Sequence, residues 1–253
     1  CAVCHGGFIR AAAHVVLGET NTLAMPDNCA VILVPNTLYA LGALGRWHML
    51  RTNPHVVGIT GSVGKTTTKQ FIYAVLNTKY KANVTKGNFN NEIGLPLTLM
   101  QLKAEDRIAV LEAGMSYPTE LHRLSHICTP DTVVITNIGT SHIENLGSQE
   151  GILQAKLEIL EGMQPDGKLL LNGDDGMLRQ LPRKPEQSVT YFGEDEAVCA
   201  VSYCNVQEES GALKFDVCSG KQCFPVEMAL EGRHFVADAM AAIAVGLKLA
   251  VPY

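Results

Sequence analysis

Residues 56–68 read Val-Val-Gly-Ile-Thr-Gly-Ser-Val-Gly-Lys-Thr-Thr-Thr, and no other segment carries a comparable chemical signal. Gly61 and Gly64 let the backbone turn tightly, so consecutive N–H groups can face an anion. An apolar strand precedes the loop and a helix follows it, and a helix N-terminus favours negative charge. Within Gly61, Ser62, Val63, Gly64, Lys65, Thr66 and Thr67, the expected roles follow from chemistry. Lys65 bridges the outer phosphates of a bound ATP, and the Thr66 hydroxyl reaches Mg²⁺. Two residues separate these glycines, where the general phosphate-loop motif has four.

Further chemistry lies downstream, at the ends of expected strands. Glu112 closes the apolar run 107–111, where a carboxylate can hold Mg²⁺ or orient its water. His142 follows the run 132–136 on the same side, and such strand ends are where open α/β sheets bind ligands. Lys156 falls on an expected helix over 149–163, a position that is ordinarily a solvated charge. The segment Gly87-Asn-Phe-Asn-Asn-Glu-Ile-Gly94 is too polar for a core element. Its amides suit phosphate contacts, and turn chemistry alone also accounts for them.

Positioning these groups requires a sheet with helices on both sides. Apolar runs at 56–60, 107–113, 132–137 and 168–172 predict buried parallel strands. Helical spacing at 66–76, 92–102, 119–127 and 149–163 falls between them. The alternation predicts an α/β, doubly wound, mostly parallel sheet. Upstream, residues 8–16 read as a helix, 30–34 as a strand and 37–51 as a helix, the remnant of an N-terminal α/β domain. Pro54 marks the boundary, giving a partial domain over 1–52 and a central domain over 53–253. After residue 188 the chain becomes strand-rich (188–192, 197–206, 213–217, 222–229) and ends in a helix over 235–249.

The formal net charge of −5 gives no general electrostatic reason to bind nucleic acid. No charge-free stretch is long enough for a membrane span, and the N-terminus does not read as a signal peptide. A cytoplasmic protein is therefore expected, with its eight cysteines reduced. Cys199, Cys204, Cys218 and Cys223 invite a zinc reading. However, each pair lies five apart within a strand-like segment (198–206 and 213–224), which would point its members to opposite faces. Structural thiols are expected.

Together these segments resemble the Mur ligase family, which builds the peptide stem of the bacterial cell wall. The resemblance rests on residues 58–68, 87–96, Glu112-Ala-Gly-Met115, Thr136-Asn-Ile-Gly-Thr-Ser-His142, Ala155-Lys-Leu-Glu158 and Gly232-Arg-His234. It spans about residues 30–253, and the Asn-rich element favours the branch that adds D-alanyl-D-alanine. The resemblance implies ATP and Mg²⁺, with Lys65, His142 and Lys156 as catalytic groups. It implies Thr66, Glu112, His142 and Lys156 as metal ligands, the last as a carbamate. It further maps the family's γ-phosphate contact to Asn91, with Asn90 as the alternative. His234 and Asp238 would lie beside adenine, although Phe235 and Asp238 stand where the family has asparagines. Asp238 can accept a hydrogen bond from the adenine amino group but cannot donate to a ring nitrogen. The implied reaction activates the carboxylate of a UDP-N-acetylmuramoyl tripeptide as an acyl phosphate, which D-alanyl-D-alanine attacks. A monomer is expected. The family's C-terminal domain has no counterpart here, so this chain is expected to bind Mg-ATP without forming the amide alone. A sister ligase, a folylpolyglutamate-synthase-like enzyme, a non-catalytic nucleotide-binding module and a structural α/β domain are the alternatives.

Overall fold

Alternate residues of the central strands are buried on opposite faces, and this divides the apolar core into two layers. In the computed structural model, residues 3–4, 8–11, 15–18, 30–181, 188–209 and 211–252 are described. Their elements in chain order are β1 (Val3–Cys4), β2 (Phe8–Ala11), β3 (Val15–Gly18), β4 (Ala30–Leu33), α1 (Thr37–Thr52), β5 (His55–Thr60), α2 (Lys65–Leu76) and β6 (Ala82–Val84). Next come α3 (Gly94–Leu99), β7 (Ile108–Glu112), α4 (Glu120–Cys128), β8 (Thr132–Ile135), α5 (Ile143–Leu146), α6 (Gln149–Leu157) with a 3₁₀ turn (Glu158–Leu160), and β9 (Lys168–Asn172). The chain ends with α7 (Gly176–Arg179), β10 (Ser188–Gly193), β11 (Val201–Glu209), β12 (Ala212–Ser219), β13 (Gln222–Met228) and α8 (Phe235–Lys248).

A nine-stranded sheet runs in the order β13-β12-β11-β10-β9-β8-β5-β7-β6. From β6 to β11 every neighbouring pair is parallel. β11, β12 and β13 are antiparallel and extend the same sheet as a meander. Val56, Leu111, Val133, Ile135 and Leu171 face α1, α3, α4 and α6, packing with Met49, Leu95, Leu121, Leu124 and Ile152. Their neighbours Val57, Ile59, Val110, Val134 and Leu170 face the other way, against Ile72 and Leu76 of α2 and Met240 and Val245 of α8. Both faces are thus covered, as parallel strands require.

The chain leaves β5, crosses to β6, returns to β7 beside β5, and then builds β8 to β10 on the other side. The crevice at the carboxyl end of β5 is therefore a topological switch point, the place where such sheets bind ligands.

Several expectations are corrected. A helix is expected over 8–16, and its described residues, 8–11 and 15–16, are strand instead. Phe8–Ala11 and Val15–Gly18 form antiparallel strands, within a four-stranded sheet ordered β1-β2-β3-β4. Ile9, Val15 and Val16 are strand formers, and they outweigh the alanine run between them. Helix α3 is shorter than expected because Asn91 Oδ1 accepts from the Ile93 and Gly94 amides and sets its start. The helix after Ser148 ends in the 3₁₀ turn, beyond which Gly162 lies against the Ser125 backbone so closely that a Cβ would sit 2.2 Å from its carbonyl carbon.

Residues 213–224 are not one strand but a hairpin, with Ser219 opposite Gln222 around Gly220 and Lys221. Cys218 and Cys223 are therefore cross-strand partners on one face, joined by a disulfide rather than present as thiols. Cys128, Cys199 and Cys204 are free. Cys1 and Cys29 lie outside the described residues. Among the described residues, no helix is long and apolar enough to cross a membrane.

Candidate functional site

The loop between β5 and α2 is held from below by the residues that follow β8. Asn137 Oδ1 accepts from the Ser62 and Val63 amides at 3.1 and 3.0 Å, and its Nδ2 donates to Val63 O. Thr136 Oγ1 also donates to Val63 O, and Ser62 Oγ accepts from the Gly139 amide. The strand expected over 132–137 stops at Ile135 because Thr136 and Asn137 are spent on this latch. Consequently the Ser62 and Val63 amides do not face open space. The donors left are those of Gly64, Lys65, Thr66 and Thr67, which open α2, have no intrahelical acceptor and have no side-chain cap. Gly64 takes φ +80 to present them.

Gly61 is where the loop leaves the sheet. Its φ is +154, and a Cβ there would lie 1.9 Å from Thr136 Oγ1. Gly61→Ala is expected to lower stability by about 1–3 kcal/mol through overpacking. It should also abolish binding of an ATP analogue, because Thr136 must release Val63 for the methyl group to fit. A thermal melt and a calorimetric titration measure the two effects. An unchanged melting temperature would show that the latch does not constrain the loop.

Lys65 Nζ donates back to Gly61 O at 2.8 Å and Ser62 O at 3.2 Å. Burial lowers its pKa, and the nearby Glu112 carboxylate opposes that shift. Thr66 Oγ1 donates to Glu112 Oε2 at 3.1 Å. Glu112 is buried at the end of β7, and its amide donates to Thr85 Oγ1. The same Oε2 accepts from Lys69 Nζ at 3.0 Å, and Oε1 accepts from Asn90 Nδ2 at 2.8 Å. Sequence reasoning missed Lys69 and the role of Asn137. The position of Lys69, three residues past Thr66 and four past Lys65, puts it near them on α2, but that spacing does not say whether it turns into the sheet or to solvent.

Lys156 is 2% exposed on α6, and it has no hydrogen-bond or ion-pair partner among the described residues. Burial, then the like charge of Lys65, brings its pKa down to about 7. His142 is exposed, takes φ +66 at the start of α5, and its ring makes no hydrogen bond among the described residues. No three His, Cys, Asp or Glu side chains among the described residues converge on a metal-sized site. The oxygen donors of Thr66 and Glu112 are nonetheless the type a hard cation such as Mg²⁺ takes. The Thr66 proton is committed to Glu112, which leaves the hydroxyl lone pairs for a cation.

Of the two asparagines, Asn90 reaches Glu112, whereas Asn91 Oδ1 accepts from the Ile93 and Gly94 amides at the start of α3. Asp238 is buried on α8 and accepts from Thr68 Oγ1 at 2.5 Å. A Cβ on Gly64 would lie 2.7 Å from its Oδ1, so this carboxylate sits under the loop. Burial raises the Asp238 pKa, opposed by the Thr68 hydrogen bond and by His234. The His234 and Phe235 rings lie against each other at a tilt of 41°, with centroids 4.1 Å apart.

Comparison with known proteins gives consistent matches. Residues 59–246 match the Mur ligase middle domain. The chain is 44% identical over 240 residues to a UDP-N-acetylmuramoyl-tripeptide–D-alanyl-D-alanine ligase of Bacillus subtilis, covering 94% of this chain and 50% of that relative. A crystal structure of MurF from Acinetobacter baumannii aligns with TM-score 0.84 at 29% identity, over 94% of this chain and 51% of that one. MurF from Thermotoga maritima in complex with ADP aligns with TM-score 0.83 at 29% identity, over 93% of this chain and 54% of that one. The chain spans about half the length of the relatives it matches.

Proposed function

Because the chain belongs to the Mur ligase family, we propose that it carries the ATP-binding machinery of a cytoplasmic, monomeric ligase that joins D-alanyl-D-alanine to UDP-N-acetylmuramoyl tripeptide. In this reading residues 53–253 bind ATP, and residues 1–52 belong to the part that binds the UDP substrate. ATP is a substrate here. Its γ-phosphoryl group passes to the tripeptide carboxylate, the dipeptide amine attacks the resulting acyl phosphate, and phosphate leaves.

One observation carries the reading. The uncapped first turn of α2 places Lys65 and Thr66 beside the buried Glu112 at a topological switch point. The amides from Gly64 to Thr67 hold phosphate oxygens. Lys65 exchanges Gly61 O and Ser62 O for the β- and γ-phosphates. Thr66 and Glu112 hold Mg²⁺, which when bound neutralises charge on the transferring phosphoryl group. Asn90 stands on the other oxygen of Glu112, and that position is what supports assigning the γ-phosphate contact to it rather than to Asn91. Lys156, with a pKa of about 7, holds a large neutral fraction at physiological pH. A neutral amine is the form that adds CO₂, so a carbamate there would supply a second anionic ligand, and His142 would offer an imidazole nitrogen. His234 and Phe235 offer a ring surface on the adenine side.

The family name of the relatives supports the substrates, and the loop supports the nucleotide. Calorimetric titration with a non-hydrolysable ATP analogue and Mg²⁺ tests the second. Product formation from UDP-tripeptide, D-alanyl-D-alanine and ATP by the whole protein tests the first. Absence of any nucleotide affinity would defeat the reading. Nucleotide binding with another amino acid consumed in place of D-alanyl-D-alanine would reassign it to a sister ligase.

A further inference from the structure

Helix α2 carries a lysine that no phosphate-binding role uses. Lys69 is 0% exposed, among the largest fully buried side chains of the described residues. It lies on the buried face of α2 with Thr68, Ile72 and Leu76. A leucine or methionine there would pack against the same sheet. Burying an ammonium instead is unfavourable unless it is paired and hydrogen-bonded, and even a good buried ion pair is seldom worth more than apolar packing. The charge therefore has a use other than stability.

Its contacts show what that use is. Lys69 Nζ donates to Glu112 Oε2 at 3.0 Å and to Gly87 O at 3.1 Å. Gly87 has φ +52 and opens the loop that brings Asn90 to Glu112 Oε1. One ammonium thus ties together the helix after the phosphate loop, the end of β7 and the asparagine loop. Glu112 Oε2 is shared between Lys69 and the Thr66 hydroxyl. Without Lys69 the carboxylate loses its charged partner and is held only by Asn90 and Thr66, so the acceptor that turns the Thr66 lone pairs outward is less firmly fixed.

We propose that Lys69 is a positioning residue for the cation: it fixes Glu112 and, through Gly87, Asn90, so that Thr66 presents its oxygen to Mg²⁺. This rests on the Mg-ATP reading of the same site. Partners one step removed from a metal commonly change its affinity by roughly 10–100-fold when lost.

The test measures affinity for a non-hydrolysable ATP analogue in Mg²⁺ and in EDTA, by calorimetry, and takes the ratio as the magnesium gain. In Lys69→Met this gain should fall by at least roughly tenfold, with affinity in EDTA little changed. In a Glu112→Gln background, adding Lys69→Met should change the gain no further. A full magnesium gain in folded Lys69→Met, or losses that simply add in the double variant, would overturn the proposal. Should Lys69→Met fail to fold because Glu112 is left unpaired, the double variant is expected to restore folding. If it does not, while Glu112→Gln alone folds, Lys69 serves the fold independently of Glu112 and the inference fails. Absence of a magnesium gain in the unaltered protein would instead remove the Mg-ATP reading itself.

Discussion

Lys65→Ala is expected to reduce affinity for an ATP analogue by about 100-fold or more, with a melting temperature close to that of the unaltered protein. The asymmetry follows from what Lys65 does with and without nucleotide. Its ammonium is spent on two carbonyls of its own loop, Gly61 O and Ser62 O. These are replaceable by water at a partly exposed site, so their loss costs about 1 kcal/mol or less. The loop itself is held by hydrogen bonds of Asn137, Thr136 and Gly139 with Ser62 and Val63, which are separate from those of Lys65. Bound triphosphate changes the balance. Two charge-assisted hydrogen bonds to phosphate contribute about 1.5–3 kcal/mol each, and about 1.4 kcal/mol is a factor of ten. Burial already lowers the Lys65 pKa, so an anion beside it also relieves an existing penalty. Calorimetry and a thermal melt separate the two effects. Equal affinity in the two proteins would mean that the loop does not hold phosphate, and the functional reading would fall with it.

What the sequence shows and what it hides divide along the range of the interactions. The phosphate loop, Glu112 and the strands around them are legible because each depends on local pattern: glycine spacing, an apolar run, a turn. The partners are not local. Lys69 meets Glu112 across 43 positions, and Asn137 meets Ser62 across 75. No spacing rule distinguishes a lysine that turns into the sheet from one that faces solvent. The resemblance puts Asn91 ahead of Asn90, and the sequence cannot test that order for a related reason. Adjacent side chains differ only in direction, and the direction is set by Asn91 Oδ1 accepting from the Ile93 and Gly94 amides at the start of α3. Asp238 reads as a base contact from its motif, and the motif does not reveal that its Oδ1 accepts from Thr68 across 170 positions. Cys218 and Cys223 hide for a simpler reason: a two-residue turn between them converts five positions along one strand into a cross-strand pair. The antiparallel pairing at the N-terminal end is obscured by alanines, which favour helix in isolation.

Lys156→Met should eliminate amide formation by the whole protein, by about 1,000-fold or more, while making the fold more stable near neutral pH. The second half is the sharper test, because loss of activity alone has many causes. Lys156 is buried without a partner among the described residues, and its pKa falls from 10.5 to about 7. The unfolded chain therefore binds more protons than the folded one between those values. By linkage, the destabilisation is fully present below pH 7 and is relieved as pH rises towards 10.5. Methionine removes the ammonium and keeps most of the packing. The variant should gain about 2–4 kcal/mol at pH 6, and the gain should shrink steadily above pH 7. Bicarbonate adds a second contrast. If Lys156 takes up CO₂, the resulting anion sits near Lys65, which replaces a like-charge repulsion with an attraction. Bicarbonate at pH 8 should then raise the melting temperature of the unaltered protein and leave Lys156→Met unmoved, and ¹³C-bicarbonate should give a carbamate resonance in the former only. A variant less stable than the original at pH 6 would show that the ammonium is favourably paired. In that case the low pKa, and the route to a carbamate that depends on it, would both be wrong.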